Sequence, residues 1–307
     1  MVRPGATRRI SAKEGFRLDW TPGGMSSDIE DRRGSSGGFG GMGGGGLGII
    51  GFLVLLVISL ITGRNYLGSV LSGGGQSTLR TDNVPGPRGS PSPTEERDAQ
   101  LVSFVLDDAQ KTWGQIFSEH GRTYRHAKLV LYRDATYSGC GTAQASTGPF
   151  YCPEDEKVYM DLGFWSDLKR FGGSTGDFAQ AYVVAHELGH HVQKLLGIEM
   201  RMQRLAEGNP DDRNQLSVDL ELQADCFAGV WGHSTEQRNI VHPDDVDQAL
   251  QIAASVGDDH LQRMSGRAVS PERWTHGSSA QRSEWFRRGL EGGTVASCKT
   301  FSGQLSP

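Results

Sequence analysis

The 307-residue sequence has no C-x-x-C pair, no basic excess and no uncharged apolar run of twenty residues. Each absence removes a class of protein. Without a C-x-x-C pair, a zinc site built on paired thiolates is disfavoured. Lys and Arg number 31 against 36 Asp and Glu, a formal charge of −5. No broad basic field is present, so no nucleic-acid partner is expected. A mean hydropathy of −0.43 excludes a polytopic membrane protein but allows a single span. Glycine, in contrast, is abundant: 43 residues, 22 of them within residues 1–90. They follow no Gly-X-Y period, so collagen is excluded.

Composition divides the chain into four parts. Residues 1–46 are polar and end in a glycine-rich run, with too little apolar surface to offset the entropy of ordering, and are expected to be a disordered tail. Residues 47–62 read LGIIGFLVLLVISLIT without a charge. With flanking glycines they reach the length of a bilayer span, and 47–63 is expected to be a transmembrane anchor. A cleaved signal peptide would start nearer the amino terminus and lead to a small-residue cleavage site. A buried core helix would not be flanked by polar linkers. Seven Lys and Arg in residues 1–46 place the amino terminus in the cytoplasm, and so the remainder of the chain outside it, as a single-pass membrane protein. Residues 64–92, rich in Gly, Ser and Pro, read as a flexible linker.

Residues 93–307 are long enough to bury a sizeable core. Ser92-Pro93-Thr94-Glu95 has the form of a capping box with Pro in the first turn. Apolar residues then recur every four positions from Leu101 to Phe117, which predicts a helix over 93–119. Lys128–Tyr132 and Lys157–Leu162 read as strands, and helices are expected near 177–196, 212–231, 243–256 and 279–289. The expected fold is mainly α with a small β-sheet, an α+β domain behind one amino-terminal transmembrane helix.

All four cysteines lie after the apolar segment. Three pairings are open. Cys140 and Cys152 flank a glycine-rich loop and could close a small ring, while Cys298 could reach back to Cys226. Buried free thiols are the alternative. An exported domain would permit disulfides.

The chemistry concentrates in YVVAHELGHHVQ, residues 182–193. His186, Glu187 and His190 form H-E-x-x-H. On a helix, residues four apart share a face, so both imidazoles can hold one Zn²⁺ while Glu187 reaches the attacking water. Gly189 would let another segment or a substrate approach, and Gly197 would end the helix. A catalytic zinc site needs a third protein ligand and an open position. VDLELQADCFAGVW, residues 218–231, supplies one. Glu221 and Asp225 lie four apart among apolar residues, where a carboxylate needs a partner. Glu221 is read as the third ligand and Asp225 as the acceptor of a ligand histidine's other N–H. His191, rotated about 100° from His190, falls outside the set, and Asp219 is read as solvated.

H-E-x-x-H with E-x-x-A-D on a following helix resembles the zinc peptidases whose third ligand is Glu, the gluzincins. Five stretches narrow the likeness: 140–165, 186–197 (HELGHHVQKLLG), 221–231 (ELQADCFAGVW), 247–262 and 275–289 (THGSSAQRSEWFRRG). They resemble the neutral zinc metallopeptidase family of the YpfJ type over about residues 100–301. The resemblance implies a zincin-like peptidase domain over 93–307 acting on peptide or protein substrates. It implies one zinc on His186, His190 and Glu221, with Glu187 catalytic. Members typically carry one amino-terminal membrane helix.

Beyond Glu187, a donor for the oxyanion is needed. His276, on a loop before a helix, is the candidate, with Tyr159 and Tyr151 behind it. Arg282 would either anchor a substrate carboxylate or pair with Asp258 or Asp259. Trp113, Trp165, Trp231 and Trp285 are read as core. Two other readings stand beside this one. The first is a non-catalytic zinc-binding scaffold tethered to the membrane, against which the intact Glu187 argues. The second is a protease embedded in the bilayer, against which the polarity of the motif helix argues.

Overall fold

The computed structural model describes residues 18–34, 90–170, 173–174, 176–241 and 243–301. Helix dominates and the sheet is small. In chain order the elements are β1 (Ile29–Asp31), α1 (Pro93–Glu119), β2 (Lys128–Tyr132), β3 (Ala135–Ser138), β4 (Gly141–Gln144), β5 (Phe150–Cys152) and β6 (Lys157–Asp161). Then come α2 (Phe164–Arg170), α3 (Asp177–Leu196), α4 (Ile198–Gly208), α5 (Arg213–Gln237), α6 (Pro243–Ser255), α7 (Asp258–Met264) and α8 (Ser279–Gly292). The five expected helices and two expected strands are all present. The short elements β1, β3, β4, β5, α2, α4 and α7 were not anticipated, since runs of three to eleven residues carry little periodicity of their own.

The sheet has the order β1-β2-β6-β5, with β5 antiparallel to β6 and the other pairs parallel. Side chains alternate between its faces. Leu129, Leu131, Val158 and Met160 join the main core with Leu101, Val105 and Ala109 of α1. Val130, Tyr132 and Tyr159 form a smaller core with Ala143 of the β3–β4 hairpin. Disulfides join Cys140 to Cys152 and Cys226 to Cys298, the expected pairs. Ser92 caps α1 by accepting the Glu95 N–H, but the Glu95 carboxylate does not complete the box. It turns to Arg133 at 2.6 Å, a stronger charged partner.

Two close approaches bring the long helices together. A Cβ on Gly189 of α3 would lie 2.9 Å from the Ala224 carbonyl oxygen of α5, so the expected approach is made by a helix and not by a substrate. Where α5 crosses α8, Gly289 has no room for a side chain against the Cys226 carbonyl. Gly197 ends α3 in the left-handed region at φ 72°.

Residues 18–34 correct the expectation of a disordered tail over 1–46. Ile29–Asp31 pair with Leu129–Leu131, Leu18 is buried in the main core, and Trp20 donates its indole N–H to Asp177 at 3.0 Å. Arg97 binds the same carboxylate at 2.6 Å, so this segment buttresses the first turn of α3. Arg33 is 2% exposed against Asp31, Glu95 and Glu96. Composition concealed this because the segment is held by backbone pairing and ion pairs rather than by an apolar run.

The expected anchor, 47–63, and most of the expected linker, 64–92, lie outside the described residues. No helix among the described residues is long and apolar enough to cross a membrane. Pairing of β1 with β2 constrains topology all the same. A single crossing between residues 34 and 90 would separate the two strands by a hydrocarbon layer of about 30 Å. Strands that share hydrogen bonds lie on one side of any membrane.

Candidate active site

The buried middle of α3 carries His186, Glu187 and His190, and α5 brings Glu221 across to them. One donor atom from each of His186, His190 and Glu221 lies within 4.8 Å of the others. His186 Nε2 is 3.3 Å from Glu221 Oε2, and His190 Nε2 is 3.6 Å from Oε1. Among the described residues no other group of this kind forms.

The other ring nitrogens are already committed. His186 Nδ1 donates to Asp225 Oδ1 at 2.8 Å, as a carboxylate can only accept. His190 Nδ1 donates to the Gln193 amide oxygen at 2.9 Å. Gln193 in turn donates to the Leu220 carbonyl and to Gln223. Both rings therefore present Nε2 to the same point, the arrangement that metal-ligating histidines use. Two imidazole nitrogens and a carboxylate suit zinc and leave a fourth position open, so the residues fit the ion.

Burial of ionisable groups shapes the electrostatics. Burial alone would lower His186, but Asp225 and Glu221 outweigh it and raise it to about 10. For Glu221, burial would raise the carboxyl, yet His190, His276 and His186 hold it well below the usual range. Glu187 differs. Burial raises it, and the histidine charges only partly oppose this. Its carboxyl thus holds a proton more readily than a free glutamate, which suits a group that exchanges one.

Asp225 is fully buried and also accepts from Tyr182 Oη and from Arg282. Arg282 thus does neither thing expected of it. It pairs with Asp225, 57 residues away, and sequence spacing carries no signal for that.

His276 lines the same cleft as the triad. Asp258 organises its loop by accepting the N–H groups of Thr275, His276 and Gly277 at 2.7, 2.7 and 3.1 Å. Burial would lower His276, but Glu221 and Asp258 raise it, which favours a ring that donates. The two tyrosines are occupied: Tyr159 Oη donates to Asp155, and Tyr151 Oη bonds His191 Nδ1. His191 completes its bonds on the Arg125 carbonyl, away from the triad as expected. Asp219 is half-buried rather than solvated, with burial raising its carboxyl. Trp113, Trp165 and Trp231 are core, whereas Trp285 is half-buried under Arg288.

The cleft has a volume of about 260 Å³. Phe150 and Tyr151 of β5, an edge strand, line one part of it, and Leu168, Ile252 and Val256 give another part an apolar wall.

A His-His-carboxylate donor set with a free, buried glutamate beside it on a helix defines a candidate metallohydrolase centre. The chain belongs to the family described as "Putative neutral zinc metallopeptidase", whose model matches residues 18–301. It is 46% identical over 287 residues to the uncharacterized protein YpfJ of Escherichia coli, covering 92% of this chain and 99% of that one. An uncharacterized protein of Mycobacterium bovis is 43% identical over 190 residues, 58% of this chain and 64% of its own. No solved structure matches. The matched region starts at residue 18, so the family pattern includes the β1 segment that composition alone had assigned to the tail.

Proposed function

We propose that this protein is a zinc-dependent peptidase of the zincin-like type. It holds one zinc on His186, His190 and Glu221, with Glu187 as general base and His276 as oxyanion donor. The observation that carries this is the convergence of three donors, both histidines oriented through Nδ1, next to a Glu187 carboxyl that no ligand role consumes. When bound, zinc supplies Lewis acidity, which acidifies the attacking water and polarises the scissile carbonyl.

Glu187 takes the proton of the attacking water and returns it to the leaving amine nitrogen as the C–N bond breaks. His276 donates to the oxygen that gains charge on attack. Asp225 and Gln193 hold the two histidine rings in register, and Arg282 neutralises the buried Asp225 charge. The substrate backbone is expected to add to the β5 edge, as extended peptides do at exposed strands.

The experiment uses the full chain, because residues 18–34 are part of the fold. Purified protein should carry zinc and cleave members of a peptide library. Glu187→Gln should keep the zinc and lose about 10²–10⁴-fold in turnover. Zinc retained without cleavage of any peptide by the unaltered protein would favour a scaffold, and absence of zinc would reject both readings.

A further inference from the structure

Glu199 lies in the first turn of α4 and is 6% exposed. With Met202, Gln203 and Ala206 it forms the face of α4 that lines the cleft, which Tyr151 and Pro153 also line. His186 and His190 line the same cleft. Glu199 Oε1 has no hydrogen-bond partner, and no ion pair forms with Glu199 among the described residues. Asp155 also has one unpartnered oxygen, but its second oxygen accepts from Gly139 and Tyr159.

A buried carboxylate without a partner is costly, and proteins pair such groups or bring the partner with a ligand. Burial pushes the Glu199 carboxyl upward; Lys194 opposes this from a distance and Glu154 adds to it. The amino-terminal turn of α4 favours a negative charge there. The site therefore presents an acceptor, on the α4 face beside Met202 and Ala206, to whatever fills the cleft.

We propose that Glu199 receives a cationic nitrogen of the bound peptide, an ammonium or guanidinium group, and so makes the enzyme selective for substrates that place a positive charge at that subsite. This rests on the peptidase reading above. The nitrogen has two possible sources. A free α-amine would make the enzyme trim chains from the amino terminus. A Lys or Arg side chain would direct cleavage within chains near basic residues.

Matched peptides separate these sources in the zinc-loaded full-length protein. One pair differs only by amino-terminal acetylation, and another by Lys against norleucine at each position in turn. Removing the cation that Glu199 receives should lower kcat/KM about tenfold to a hundredfold, chiefly through KM. Loss on acetylation assigns the α-amine, and loss with norleucine assigns the side chain. Glu199→Gln should erase the difference within the pair. Equal cleavage within every pair, or a cation preference that survives Glu199→Gln, overturns the proposal. Binding of the same pairs to zinc-loaded Glu187→Gln, followed by fluorescence anisotropy, should show the same preference without turnover. A cation preference in binding with no cleavage by the unaltered protein would sink the peptidase reading and leave the Glu199 subsite standing.

Discussion

Arg282 grips Asp225 with two hydrogen bonds of 2.8 Å, from Nε to Oδ2 and from Nη2 to Oδ1, and neither side chain is more than 5% exposed. The Arg282 charge and the His186 bond together lower the Asp225 carboxyl to about 2 against the cost of burial. Asp225 therefore stays ionised where His186 needs an acceptor. Helices α3, α5 and α8 meet in this one cluster.

Asp225→Asn should weaken zinc binding by about tenfold to a hundredfold, because the amide is a poorer acceptor for the His186 N–H. It also leaves Arg282 buried without its counter-charge, which should cost about 3–5 kcal/mol of stability. Chelator competition reads the first effect and denaturant unfolding the second. Unchanged zinc affinity would mean that His186 is oriented by packing alone.

His276→Ala should lower kcat by about 10²–10³-fold with zinc content retained, as expected for loss of one oxyanion donor. The substitution removes the 3.5 Å pair of His276 Nδ1 with Asp258 Oδ1 but leaves the three Asp258 bonds to backbone N–H groups, so the loop should hold its shape. Steady-state kinetics with parallel metal analysis checks this. A change confined to KM would assign His276 to substrate binding instead.

Gly189→Ala should separate α3 from α5, because the added Cβ meets backbone atoms of Ala224 at 2.9 and 3.0 Å. Backbone cannot step aside as a flexible side chain can, so a loss of about 1–3 kcal/mol is expected. Zinc affinity should fall with it as Glu221 recedes from the histidines. Thermal unfolding with and without zinc tests both. Unaltered stability would show that the crossing has slack.

Single cysteines at Met25 and Met264, both exposed and on opposite sides of the apolar segment in sequence, should react with an impermeant maleimide from the same side of a membrane. Labelling from opposite sides would require β1 to leave the sheet. In the same vein, a chain beginning at residue 90 should be less stable than the full chain, since it lacks Leu18, Trp20, Arg33 and the β1 pairing. Equal unfolding midpoints would remove any structural role for residues 18–34.

The long elements and the centre of the site were legible from local spacing. The four-residue step of His186 and His190, and that of Glu221 and Asp225, makes each pair share a helix face whatever surrounds it. Gln193 and Glu199 carry no local signal, and Asp258 is expected from sequence only as a partner for Arg282. Gln193 orients His190 only because Leu220 and Gln223 hold its amide group, and that needs α5 in place. Asp258 reads as an ordinary helix-start residue until the loop of residues 275–277 folds over it. Glu199 looks like a routine acidic residue in a first turn, and only burial in the cleft wall sets it apart.

By itself, then, the sequence determined which helices carry the donors, which faces they occupy and which cysteines could pair, because these follow from periodicity and residue type. The tertiary structure decided that Arg282 serves Asp225 rather than a substrate. It also decided that Glu199 lacks a partner among the described residues, and that residues 18–34 join the sheet. Those outcomes depend on contacts between segments far apart in the chain. The free energy of burying or pairing a charge there belongs to the assembled surroundings and not to local spacing.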